Sequence, residues 1–407
     1  MIYSQTVPLP APVSDFLRAD VRAKLAYLDR RVMEATLEGD GSTVSFSVAS
    51  NVPDRERQEI ADRILQLVHD MTEDAFEPEI RVLETRSGSI PYADDPMPAL
   101  VARGEVFQEG DGFFTLGPEL AAVVAHVDRR LEGIAAAMGA RPYRFPALIS
   151  PAYLERVQYF KNFPHSLSFV THLNPDIEDI RRFGNDACCI DGYVHADPAL
   201  FSRAPAMLSP TVCHHLYAAL ENRHIDAPGL VATAHGHCFR FEASNMYALE
   251  RAWNFTMREI IFVGEEDFVA AQLERVRVAV APILSELDLT YSVETANDPF
   301  FVDTFRDQAA YQAAFELKQE IRADIPYRDR SLAVGSYNRH GSFFGRTLNI
   351  TTANKDFACT GCFGMGFERI VFALVAQHGP DPDGWPAAIK AIVDERCSDK
   401  DSVGEKM

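Results

Sequence analysis

An α+β fold is predicted: an antiparallel sheet flanked by helices, preceded by a small α/β unit. Three observations predict it. Between residues 166 and 352 one apolar strand-like run follows another, with few helices to act as crossovers. That pattern favours antiparallel over doubly wound parallel pairing. Long helical periodicities stand at 117–138, 265–287 and 366–378. Finally, the first hundred residues read strand, helix, strand.

Taken in order, residues 1–16 carry Pro8, Pro10 and Pro12 and read as an extended lead-in. Thr43–Ala49 alternates like a strand. Residues 54–70 place Ile60, Ile64, Leu65, Leu67 and Val68 at amphipathic-helix spacing, and residues 79–85 read as another strand. A linker follows at 87–98, rich in Gly and Pro. Gly117–Met138 is a helix, with Pro118 in its first turn and Leu120, Val124, Val127, Leu131 and Ile134 on one face. Arg144–Ile149 enters a strand, and Tyr153–Phe163 is a helix stopped by Pro164. Strands are expected at 166–172, 189–195, 229–234, 238–242 and 258–263, then a helix at 265–287. Further strands are expected at 315–324, 331–337 and 345–352, then a helix at 366–378. This gives an N-terminal unit over 1–105, a main domain over 106–398 and a disordered tail over 399–407.

The 407 residues carry a formal charge of −20, with 11 Lys/Arg against 20 Asp/Glu in residues 1–110, a net of −9. Such a balance argues against a protein whose main task is gripping a polyanion. The hydrophobic content of 47% and charged content of 24% are those of a soluble globular chain. No apolar run is long enough to cross a bilayer, and Met1–Gln5 lacks the start of a signal peptide. Seven thinly spread cysteines fit a reducing cytoplasm rather than a disulfide framework.

The chemistry concentrates in Cys238-Phe239-Arg240-Phe241-Glu242, in Arg251 to Glu259 and in Gly364 to Ile370. Arg240 at a strand end can fork onto an α-phosphate, and Glu242, two residues on, points to the same face. Phe255 is spaced to lie under a purine and Arg251 to reach phosphate oxygens. Arg369 can stack on the ring or grip a terminal phosphate. Together they would hold ATP bent over an amino acid; surface salt bridging is the bland alternative. Cys213, Glu259 and Cys362 could hold zinc with one open position. Equally, a free cysteine is usually a small buried hydrophobe, the reading given to Cys188, Cys189, Cys238 and Cys397. The Cys359–Cys362 pair could also be redox-active, and His214, His215, His235 and His237 are further candidate ligands.

Phe239 to Glu242, Arg251 to Glu259 and Gly364 to Arg369 resemble motifs 2 and 3 of class II aminoacyl-tRNA synthetases. Tyr153 to Leu167 is similar to motif 1, the dimer element. Within the class, the chain resembles the atypical, methanogen-type seryl-tRNA synthetases. It resembles still more their truncated relatives, the amino acid:[carrier protein] ligases, through Cys238–Glu242, Met257–Glu259 and Phe343–Thr347. The resemblance covers about residues 115–380. It implies a sheet of about six strands in a homodimer. Zinc on Cys213, Glu259 and Cys362 would hold the substrate's amino group, with Cys359 the alternative to Cys362. Arg240, Glu242, Arg251, Ala252, Phe255, Lys318 and Arg369 would hold Mg·ATP, and Arg240, Glu242 and Arg369 would be catalytic. Glu259, Ala333, Val334, Gly335, Ser336 and Asn338 would contact a small amino acid such as glycine, alanine or serine. The implied reaction makes an aminoacyl-adenylate and passes the aminoacyl group to the phosphopantetheine thiol of a carrier protein. Charging of tRNA is the alternative, which the acidic N-terminal unit disfavours; a non-catalytic paralogue is a third.

Overall fold

The structure is a computed structural model that describes residues 2–73, 80–243, 246, 248–296, 317–328 and 330–398. The expected tail 399–407 and the first residues of the 315–324 strand lie outside them. Among the described residues no helix is long and apolar enough to cross a membrane.

Among the described residues the main sheet has eight strands. Its centre is six strands, the number expected, in the order Tyr291–Thr295, Lys318–Ile325, Arg330–Gly341, Cys359–Gly366, Asn254–Gly264 and Gly229–Phe239, every neighbouring pair antiparallel; the first and fourth of these are not among the strands expected from the sequence. Val82–Arg86 extends one edge antiparallel and the two-residue Arg141–Pro142 extends the other in parallel. Side chains alternate across a strand, so the sheet has two distinct faces. Ile260, Phe262, Phe363 and Met365 pack beneath helices Pro118–Ala137, Glu266–Glu286 and Phe367–His378. Glu259, Ile261, Cys362 and Gly364 fall on the opposite face. There Ile261 and Cys362 join Cys213 and Leu216 of helix Cys213–Ala219 in a second core. The first long helix begins where the sequence predicts. Buried Glu105 caps it, accepting the N–H groups of Glu119 (3.0 Å) and Leu120 (3.1 Å). Gly117 is required there because a Cβ would sit 2.7 Å from Glu105.

The N-terminal unit is a three-stranded antiparallel sheet, Ile2–Pro8, Thr43–Ala49 and Val32–Leu37, covered by helices Asp15–Leu25 and Asp54–Thr72. Residues 2–8 are thus a strand, not a lead-in. The strand expected at 79–85 pairs with Tyr291–Thr295 in the main sheet instead of the N-terminal one.

Other expectations are corrected. Gly229–Phe239 is one continuous strand that stops at Phe239, so Arg240 and Glu242 lie beyond its end and the two-residue alternation does not apply to them. The helix expected at 153–163 is two short ones, Pro151–Arg156 and Tyr159–Asn162, broken at Gln158 with φ +59°. Of 166–172 only Phe169–Val170 is strand. Residues 189–195 form a hairpin, Cys188–Ile190 with Tyr193–His195, turning on Asp191 and Gly192, both at positive φ. The run 345–352 is helix Phe343–Thr347 followed by the short strand Thr351–Thr352. Gly345 lies so close to Ala358 that a Cβ would meet its carbonyl oxygen at 2.1 Å, a tertiary contact that a short apolar run does not announce.

Candidate active site

Two charged clusters meet at residues 210–211, where the Pro210 carbonyl takes Arg240 and Thr211 donates to Glu259. The first gathers around Glu242. Arg251 is ion-paired to it through Nη1 and Oε2. Burial works to raise the Glu242 carboxyl, but the charges of Arg251, Arg369 and Arg240 outweigh it and hold the group below its ordinary range. Those are the three arginines picked out by sequence. Arg369 Nε donates to the Glu250 carbonyl (2.7 Å) and Nη1 to the Ala333 carbonyl (3.2 Å), fixing the guanidinium against the backbone next to Arg251 and of the 333–338 stretch. Burial and the nearby cations lower its proton affinity to about 10, with Glu242 acting against them. Arg240 donates through Nε to the Pro210 carbonyl (3.0 Å), and its guanidinium carbon lies 5.4 Å from the centre of the Phe255 ring. Ala252 is buried two residues before the return strand. Lys318 pairs with Glu320 (3.0 Å), and the Glu320 charge reaches both Arg251 and Arg369. Lys318 therefore belongs to the rim of this cluster.

The second cluster is Cys213, Glu259 and Cys362, all buried, with one ligand atom from each lying within 4.8 Å of the others. The sheet register assembles it. Glu259 and Gly364 are cross-strand partners, as are Gly364 and Ser336, and Cys362 faces Asn338. Gly364 gives Glu259 its room, since a Cβ there would sit 3.4 Å from the Glu259 Cγ and 3.2 Å from the Met257 methyl. Glu259 Oε1 accepts from Thr211 Oγ1 (2.7 Å) and from the Val212 N–H (3.2 Å). Its Oε2 is buried with no hydrogen-bond partner. Burial, then the Cys362 charge, pushes the carboxyl up to about 7. A hydrogen bond between the thiols, with burial and the Glu259 charge behind it, raises Cys213; the same bond lowers Cys362. Three acidic groups in one dry pocket call for a cation. A carboxylate with one unpartnered oxygen and two thiols within this span fit zinc, whose bonds run to about 2.0–2.3 Å.

The pocket stretch divides. Asn338 Nδ2 reaches Ser336 Oγ (3.0 Å) and Cys362 Sγ (3.6 Å), so both residues line the thiol cluster. Gly335 is buried in the same strand and Ala333 offers its carbonyl to Arg369. Val334 goes elsewhere. A bulge opposite Ile321 and Arg322 turns it into the core under the helices. The CxxC reading fails on geometry: residues three apart in a strand point to opposite faces. Cys359 packs beside the helix-side core while Cys362 faces Cys213. Cys238 is buried as expected, but Cys188 and Cys189 are exposed on the hairpin, a correction. The Cys397 side chain lies outside the described residues. Of the histidines, His235 pairs with Asp128 (3.3 Å), His237 with Asn254 (3.3 Å), and His214 lies among Tyr153, Tyr159 and Phe344. Neither they nor His215 join the trio.

The family described as tRNA synthetase class II core domain (G, H, P, S and T) matches residues 203–378, the span that holds both clusters. Amino acid--[acyl-carrier-protein] ligase 1 of Bradyrhizobium diazoefficiens is 30% identical over 317 residues, covering 77% of this chain and 94% of that protein. The chain belongs to the amino acid--[acyl-carrier-protein] ligase family. It is a ligase on the class II synthetase fold. A type-2 serine--tRNA ligase of Methanopyrus kandleri is 26% identical over 374 residues, 84% of this chain and 69% of that one. The seryl-tRNA synthetase of M. kandleri, solved with a tRNASec of A. aeolicus, superimposes with a TM-score of 0.68 at 21% identity, over 98% of this chain and 78% of its own. That likeness shows the fold. Within the ligase site, sequence reasoning missed Thr211, Glu250 and Glu320. Thr211 stands two residues before Cys213, and its hydroxyl is 3.5 Å from the Cys213 sulfur. Proximity to the ligand was its only signal. Glu250 is 2% exposed and takes Arg330 (2.5 Å) and Arg328 (3.3 Å).

Proposed function

We propose that this ligase activates a small amino acid with Mg·ATP and passes it to the phosphopantetheine thiol of a carrier protein. The observation that supports this most is the adjacency of two clusters of opposite demand. Three arginines converge on Glu242; in the neighbouring cluster, linked through Pro210 and Thr211, two thiols share a pocket with a carboxyl whose Oε2 has no hydrogen-bond partner. In the first step the substrate carboxylate attacks the α-phosphorus. A P–O bond forms, the α–β bridge breaks, and pyrophosphate leaves with the displaced charge. Arg240 and Arg251 orient the triphosphate, and Arg369 stabilises the departing phosphates. Glu242 holds the arginines in place until the nucleotide arrives. In the second step the thiolate sulfur attacks the adenylate carbonyl, the C–O bond to phosphate breaks and AMP leaves; the thiol proton goes to solvent.

Zinc, when bound by Cys213, Glu259 and Cys362, supplies a Lewis-acid position for an uncharged amino group. Ser336 and Asn338 line that position, and Thr211 holds Glu259 in orientation. Such a site would reject hydroxy acids. We place this chemistry in a homodimer, with the second copy covering Phe169, Tyr193 and Val194, which are 68%, 71% and 68% exposed.

The test is amino-acid-dependent pyrophosphate exchange with glycine, alanine and serine, then transfer to a pantetheinylated carrier and to tRNA in parallel. Exchange followed by thioester on the carrier is the expected result. Exchange followed by aminoacylation of tRNA alone would replace the acceptor, and no exchange with any small amino acid would sink the reading.

A further inference from the structure

We propose that Tyr27 is a positioning residue for the nucleotide clamp, and that through it the N-terminal unit forms a working part of the ATP site. The inference rests on the ligase reading and concerns a residue outside the class II core. The strand that carries the clamp ends at Phe239. Arg240, Phe241 and Glu242 therefore run on without the ladder that fixes residues 229–239, and a backbone that must hold two charged side chains needs other partners.

Three hydrogen bonds supply them. Arg240 N–H donates to the Trp253 carbonyl (2.9 Å), tying the segment to the return strand. Phe241 N–H donates to the Ser166 carbonyl (3.1 Å). The Phe241 carbonyl accepts from the Tyr27 hydroxyl at 2.6 Å, across 214 residues of sequence. The peptide between Arg240 and Glu242 is thus gripped from two sides, and one of them is the N-terminal unit. Tyr27 follows directly on helix Asp15–Leu25. Its ring meets His165 edge-on, with centroids 5.2 Å apart. Phe163, in the same turn as His165, packs against the N-terminal core. The turn at 163–166 therefore anchors both the domain and Phe241.

The donor is dependable. Burial first, and the Glu242 charge second, raise the Tyr27 hydroxyl above its ordinary range, so it keeps its proton at any working pH. The hydroxyl feels the charges of both Glu242 and Arg251, as befits a group beside the clamp. A charge-assisting role is excluded because a neutral phenol donates only a hydrogen bond. What it supplies is the orientation of one peptide, and with it the reach of Arg240 and Glu242.

Tyr27→Phe keeps the ring on His165 and removes only the donor. Tyr291→Phe is the control: its hydroxyl bonds Glu84 (2.9 Å) at the far edge of the sheet. The readouts are KM for ATP and for the amino acid in pyrophosphate exchange, Mg·ATP affinity by calorimetry, and melting temperature. The expected result is a two- to tenfold rise in KM for ATP, about the worth of one hydrogen bond, in Tyr27→Phe alone. KM for the amino acid should stay put, and the melting temperature should fall no further than in Tyr291→Phe. An unchanged KM for ATP overturns the proposal, as does an equal rise in the control. If the wild-type protein shows no exchange, the ligase reading fails. Calorimetry then still decides the role of Tyr27: a loss of ATP affinity confined to Tyr27→Phe upholds it, and equal affinities overturn it.

Discussion

The arginine cluster and the thiol cluster are both packed against one sheet, and their charge states are opposite. Around Glu242 the protein supplies its own counter-charge: one carboxylate stands among three arginines and stays ionised despite burial. Around Glu259 two thiols and a carboxyl share a pocket, and the carboxyl climbs to about 7. The first site is therefore preorganised for an anion before any ligand arrives. The second is self-repelling until a cation enters, so the zinc proposed there would be coupled to folding, as no ion would be at the clamp. Local charge balance separates a ligand site from a metal site more sharply than the residue types do.

The largest expected effects cross the two sites. Arg369→Ala should lower kcat/KM for exchange by about 10²–10³-fold, the size seen on removing one preorganised donor, while zinc content stays at one per chain. Cys213→Ser should remove the zinc and abolish activation, yet leave Mg·ATP binding within about twofold, as expected for a site that does not touch the phosphates. Elemental analysis beside calorimetry reads both. Full zinc in Cys213→Ser would discard this ligand set, and loss of zinc in Arg369→Ala would mean the clusters are one site.

A smaller effect separates the metal-free and metal-loaded proteins. In the metal-free chain the Glu259 carboxyl sits at about 7 against an ordinary 4.5. The folded state therefore binds its proton more tightly than the unfolded state does. Its contribution to stability is whole below about 4.5 and is lost as pH rises toward 7, by up to about 3 kcal/mol. Denaturant titrations of chelated protein at pH 5 and pH 7.5 should show this decline, and zinc should flatten it. A chelated protein equally stable at both values would overturn the picture of a self-repelling pocket.

How much of this was legible depends on whether the signal was local. Four of the six central strands and the three long helices carry strong periodicity and lie where the sequence predicts them, whereas Tyr291–Thr295 and Cys359–Gly366 are not among the predicted strands. The arginines could be read because they stand at the borders of elements that the sequence marks, Arg240 just past one strand, Arg251 just before the next and Arg369 in the first turn of a helix. Three things could not. Val82–Arg86 looks like any short strand, and nothing nearby says that it pairs with residues some two hundred positions downstream. Val334 lies in a run whose neighbours face the site, and only the bulge beside Ile321 turns it inward. Thr211 and Glu320 are ordinary polar residues until the register sets them beside a ligand or an arginine.

The smallest expected effect is the sharpest check on the thiol cluster. Cys359 and Cys362 are equivalent as a CxxC, but in strand Cys359–Gly366 they point to opposite faces. Cys362 meets Cys213 and Asn338; Cys359 is half-buried against the helix-side core, where burial first raises its thiol, followed by the Glu266 charge. Cys359→Ser should therefore keep full zinc and exchange activity, with a stability change of about 1 kcal/mol or less, since a half-buried sulfur is replaced by an oxygen of similar size. Cys362→Ser should lose the metal. The pair of variants turns a question of sequence motif into one of strand parity. If Cys359→Ser also lost zinc, residues 359–366 could not be a regular strand at the site, and the register that brings Ser336, Gly364 and Glu259 into one row would have to be redrawn.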